Sequence, residues 1–102
     1  MRQVNLLVHI NGETVTNAQF FDISNKIVAA FKRRNTRVVG EFVCNKGIKI
    51  VHDPTRQMYG AYGSPSIWII GLDQREWYGE KLRSLLYEIE AETKVYTYSA
   101  TN

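Results

Sequence analysis

Hydrophobic and polar positions alternate through the first ten residues. Val4, Leu6, Val8 and Ile10 fall on one side, and Asn5, Leu7 and His9 on the other. A period of two predicts a strand, which Asn11-Gly12 ends. Beyond it the spacing becomes helical: Phe20, Ile23, Ile27, Ala30 and Phe31 form one apolar stripe in a helix expected to run to about Arg34. Thr16 or Asn17 can cap that helix by accepting a backbone N–H from its first turn. Its last turn, Lys32-Arg33-Arg34, sets cations against the negative end of the helix dipole, and Asn35 suits the left-handed closing position.

Residues 37–44 and 48–51 are rich in β-branched side chains and are joined by Asn45-Lys46-Gly47. A three-residue loop with Gly last predicts a hairpin closed through a Gly bulge. Gly40 marks a bulge or kink in its first arm. The loop over residues 52–66 holds both Pro residues of the chain. It leads into Ile67-Trp68-Ile69-Ile70, the longest run of bulky apolar residues. That run reads as a central strand covered on both faces.

Asp73 is the expected cap of a second helix, with Glu76 completing a capping-box pattern and Leu72 and Trp77 a hydrophobic staple. Tyr78, Leu82, Leu85, Leu86 and Ile89 make its predicted buried stripe. Gly79 weakens that helix by roughly 1 kcal/mol relative to Ala and marks where it would break. Glu88, Glu90 and Glu92 crowd the C-terminal end, where the dipole disfavours anions, and read as solvated. Residues 94–99 form a final strand. The predicted order is β-α-β-β-β-α-β over a single domain, residues 1–102. This is an α+β class, with two helices on one face of a mostly antiparallel four- to five-stranded sheet, close to the ferredoxin-like plan. Right-handed crossovers place the first and central strands near the middle of the sheet.

Charge adds an asymmetry. Residues 1–58 carry nine Lys/Arg against four Asp/Glu, while residues 59–102 carry four against six, for a formal net charge of +3. A basic half and an acidic half suit an anionic partner or a two-faced contact. One cysteine, Cys44, excludes an internal disulfide, and a lone cysteine with two distant His residues supplies no Cys/His zinc set. No cofactor or metal is expected. No segment approaches the ~20 apolar residues of a membrane span, and the alternating start is unlike a signal peptide, so a cytoplasmic location is expected.

Three surfaces are candidate sites. The sheet face opposite the helices should carry Leu7, His9, Val39, Glu41, Val43, Lys49, Val51, Trp68, Ile70, Tyr96 and Tyr98, a set too apolar and aromatic to be left wet. Base stacking, or a homodimer packing sheet on sheet, would cover it. Lys32, Arg33, Arg34 and Arg37, with Lys46 and Lys49 on the hairpin, form a basic corner able to contact phosphates. Arg56, Met58, Tyr59 and Tyr62 in the 52–66 loop offer adaptable contacts to a partner, since loops of that length are usually functional or mobile.

Catalytic chemistry is weakly supported. His52-Asp53 is the only adjacent His–carboxylate pair, and neighbours on a strand face opposite ways. His9 or Asp73 would have to converge on it. Cys44 on a strand reads as a small buried hydrophobe. The leading expectation is a small non-enzymatic binding protein, acting as a dimer and holding RNA or single-stranded DNA at the basic helix end. The alternative is a regulator or inhibitor of another protein, of the type viruses and mobile elements encode, using the 52–66 loop and exposed aromatics. A small metal-dependent phosphodiesterase or nuclease is disfavoured.

Overall fold

The computed structural model describes residues 3–9, 15–53 and 66–101. Their elements are β1 (Gln3–His9), α1 (Asn17–Lys32), β2 (Val38–Gly40), β3 (Val43–Cys44), β4 (Lys49–Asp53), β5 (Ser66–Asp73), α2 (Gly79–Thr93) and β6 (Tyr96–Thr101). The strands form one six-stranded sheet in the order β2-β3-β4-β5-β1-β6, and every adjacent pair is antiparallel. This is the expected α+β class. The first strand and the central strand, β1 and β5, lie side by side between β4 and β6. The order departs from a strict ferredoxin-like plan because the short β2–β3 hairpin is appended beyond β4.

Helix α1 begins as its sequence dictates. Thr16 Oγ1 accepts from the Gln19 backbone N–H at 3.1 Å, and Gln19 Oε1 accepts from the Thr16 N–H at 2.8 Å, a reciprocal capping box. The helix ends at Lys32, and Asn35 closes the turn at φ 60°. The buried stripe is Ile23, Ile27, Ala30 and Phe31, with Ser24 also buried and Phe20 half-buried beside it. These residues pack with Val4, Leu6 and Val8 of β1, with Ile67, Ile69 and Leu72 of β5, and with Leu85 and Ile89 of α2. Both helices therefore share one core on one side of the sheet. Burying a side chain of this size stabilises by about 1.5–3 kcal/mol, so this layer dominates the fold.

Three expectations are corrected. The 37–44 arm is two strands, because the chain turns at Glu41-Phe42, with Phe42 at φ 55°. Arg37 and Asn45 brace the base of that hairpin: the Asn45 N–H donates to the Arg37 carbonyl at 2.8 Å, and Asn45 Oδ1 accepts from the Arg37 N–H at 3.3 Å. Helix α2 starts at Gly79, not at Asp73. Asp73 Oδ1 accepts from the Arg75 N–H at 2.9 Å and Trp77 N–H donates to the Asp73 carbonyl, which makes a separate turn ahead of the helix. Tyr78 consequently sits as an extended cap residue and is exposed, off the helical stripe. Trp77 fills the core instead, edge-on to Phe31 with ring centroids 5.3 Å apart.

Gly71 creates a bulge in β5. Its φ of 86° accompanies a register shift between Val4↔Leu72 and Leu6↔Ile69, and the one extra residue places Leu72, three positions after Ile69, on the helix side. A Cβ there would lie 2.2 Å from the Gly47 carbonyl oxygen. Only glycine permits that approach between β5 and the 45–47 turn.

Candidate nucleic-acid interface

The C-terminal end of α1 divides its cations between two tasks. Arg33 and Arg34 both reach Glu88 on α2. Arg33 Nε donates to Glu88 Oε2 at 3.0 Å and its Nη2 reaches the same oxygen. Arg34 Nη1 donates to Glu88 Oε1 at 3.0 Å and to the Ala30 carbonyl at 2.9 Å, while its Nη2 donates to Ser84 Oγ at 2.8 Å. The Arg34 side chain is only 15% exposed and that of Glu88 23%. Hydrogen bonding from Arg33 is the main reason the Glu88 carboxyl lies below its ordinary range; burial opposes it, and hydrogen bonding from Arg34 and the charges of both arginines add to the lowering. Glu88 is thus a clamp between helices. Glu90 is also engaged, accepting from the Thr97 N–H at 3.2 Å and the Thr97 hydroxyl at 2.6 Å.

Lys32 and Arg37 are exposed and make no ion pair among the described residues. Lys32 lines a groove between α1 and the β2–β3 hairpin. Phe21, Asn25 and Val28 form its helix wall, and Val38, Gly40, Glu41 and Phe42 its hairpin wall, around a volume of about 360 Å³. Phe21, Asn25, Val28 and Lys32 follow at intervals of four, three and four, one helical face beside the core stripe. Phe21 is 49% exposed. It is the exposed member of a ring cluster: His52 stacks on Phe20 at 4.9 Å, Phe20 meets Phe42 edge-on at 5.2 Å, and Phe21 meets Phe42 at 5.4 Å and Phe20 at 5.9 Å. A bulky residue in the left-handed region, as Phe42 is, is an outlier that the surrounding packing must hold in place.

The remaining expected cations lie elsewhere. Lys46 donates to Glu76 Oε2 at 3.3 Å, and Lys81 to Oε1 of the same carboxylate at 3.2 Å while standing 4.4 Å over the Trp77 ring. Lys49 is exposed at a register position opposite Val43 on one side and Ile70 on the other. The six cations expected at a basic corner are therefore split among different tasks.

The open-face expectation is corrected at its centre. Trp68 pairs in register with Leu7 and Val51, on the side away from the helices, yet is 2% exposed. Asn5 and Asp53 on that side are buried as well. This part of the face is closed to solvent, which removes the ground for expecting a second copy or stacked bases on Trp68. Tyr96 is 53% exposed, and Tyr98 follows in β6 opposite Leu7. Arg56, Met58, Tyr59 and Tyr62 lie outside the described residues, as does the side-chain placement of Tyr98.

His52 and Asp53 do not form a unit. His52 Nε2 lies 3.0 Å from the Val15 carbonyl oxygen on the helix side, whereas Asp53 faces away. Asp73 is six residues along β5 from Ile67, the register partner of His52, or about 20 Å at the rise of a strand. It cannot converge on His52. Cys44 is buried in the core, and that burial pushes its thiol up. No described helix is long and apolar enough to cross a membrane.

Phe21, Val28 and Phe42 escape the sequence reading. The spacing of Phe21 and Val28 beside the core stripe is a usable signal; the inward turn of Phe42 has none. Comparison of the chain with protein-family models, curated proteins and solved structures gives no match.

Proposed function

We propose that this chain is a small non-enzymatic binding protein whose ligand is RNA or single-stranded DNA, held at the C-terminal end of α1. The observation that carries the reading is the placement of Lys32 and Arg37. Both are exposed, both lack an ion-pair partner among the described residues, and Lys32 rims a groove that contains a half-exposed phenylalanine. Most other cations of the two helices are paired: Lys26 with Asp22, Arg33 and Arg34 with Glu88, Lys81 with Glu76, and Arg83 with Glu80. Cations without carboxylate partners are the ones that gain by releasing counterions from phosphate.

The test is fluorescence anisotropy of a labelled single-stranded oligonucleotide over a series of salt concentrations. Replacing Lys32 and Arg37 together by Ala should weaken binding and reduce the slope of log K against log salt by about 1.4, at ~0.7 per phosphate contact. An unchanged slope sinks the assignment. Lys32 and Arg37 are the informative pair, because truncating Arg33 or Arg34 also disturbs the packing of α1 on α2.

A further inference from the structure

We propose that the groove between α1 and the β2–β3 hairpin receives one unpaired nucleobase, so that the protein prefers single strands to duplex. This rests on the phosphate-binding reading above and assigns a separate task to a different set of side chains.

Size comes first. A volume of about 360 Å³ lies near the lower end of the ~300–1,000 Å³ typical of ligand pockets. It admits one ring system and excludes a base pair still stacked in a helix. Chemistry comes second. Phe21 presents half of its surface at the exposed edge of the ring cluster, where a base can stack on it. Asn25 and Glu41 stand on opposite walls. An amide that donates and accepts and a carboxylate that accepts are the groups that read base edges. Neither they nor Lys32 makes a side-chain hydrogen bond or ion pair among the described residues.

Charge complementarity selects the occupant. Lys32 lies in the groove and Arg37 directly precedes Val38 of its hairpin wall, so cations outnumber the single anion, Glu41. That balance favours a ligand carrying apolar rings and negative charge together, which a strand with an everted base supplies. The hairpin wall is also a specified shape. Phe42 holds its left-handed backbone while packed between Phe20 and Phe21, and Arg37 and Asn45 lock the hairpin base. Such strain collects where geometry serves binding.

The experiment uses the intact chain and four labelled probes of equal length: single-stranded RNA, single-stranded DNA, the corresponding duplex, and an abasic strand. Wild-type protein should bind one or both base-bearing single strands at least about tenfold more tightly than the abasic strand and the duplex. Phe21→Ala should lower single-strand affinity to the abasic value while leaving the abasic affinity and the salt slope in place; Phe21→Trp should retain the preference. Circular dichroism checks folding, and Phe21→Leu, which keeps an apolar side chain against Phe42 but offers no ring to a base, repeats the test should the Ala variant disturb the hairpin. Equal binding of abasic and base-bearing strands overturns the base pocket. So does a Phe21→Ala variant that binds like wild type while the Lys32/Arg37 double variant fails; the phosphate reading then survives alone. If no probe binds, both readings fall. A mass in sedimentation that halves on Phe21→Ala assigns the groove to a second copy of the chain and overturns the base pocket as well.

Discussion

Arg34 and Glu88 stand 54 residues apart in sequence and 3.0 Å apart in space, joining the turn that follows α1 to the C-terminal half of α2. Because Arg34 also ties the Ala30 carbonyl and Ser84, one guanidinium satisfies three acceptors on two helices. A planar fork does this and an ammonium does not.

Arg34→Ala should therefore destabilise the fold by about 1.5–3 kcal/mol, the range for hydrogen bonds to charged groups. Arg34→Lys should recover only part of the loss. Urea unfolding midpoints of the three proteins check this, and a Lys variant equal to wild type would show that charge alone matters at this position.

The clamp also sets a pH dependence. Glu88 titrates below the ordinary carboxylate range when folded, so its contribution is complete above the unfolded value of about 4.3 and is lost as pH falls through its lower folded value. Wild type and Glu88→Gln should differ in Tm at neutral pH and converge in acid. Some acid sensitivity should persist in the variant, because Glu76 is held low by Lys81 and Lys46. A constant difference in Tm across the pH range would contradict the linkage.

Gly71→Ala should cost several kcal/mol, well above the ~1 kcal/mol of an ordinary glycine exchange. Its φ is left-handed and the new methyl would strike the Gly47 carbonyl oxygen. Gly47→Ala, with open space around its own Cβ direction, should cost less. Comparing the two variants in one thermal melt separates the backbone clash from strain in φ.

His52 should behave as a packing residue. His52→Phe keeps a ring on Phe20 but leaves the Val15 carbonyl without its nitrogen partner, for a loss of about 1–3 kcal/mol. Nucleic-acid affinity measured on the folded variant should be unchanged.

Legibility in the sequence followed the range of each interaction. The α1 cap at Thr16, the left-handed Asn35 and the alternation of Val4, Leu6 and Val8 are fixed by neighbours within four residues, and periodicity exposes them. Asp73 misleads because the same carboxylate can cap a helix or close a local turn with Arg75, and only packing of Trp77 into the core decides. Glu88 looks solvated until the fold carries it to Arg33 and Arg34. Trp68 sits in a run apolar on both faces, so its side of the sheet can be inferred, but what lies over it cannot. The groove was hidden for another reason: one wall is a helix shoulder, and the other exists only because the chain reverses at Phe42.

That reversal has a bearing on self-association. The sheet ends on one margin at β2, which offers three residues for backbone pairing, and on the other at β6, which offers six. A rim so brief is a poor template for an incoming strand. Growth by strand addition is thereby steered to the β6 margin, away from the hairpin that walls the groove.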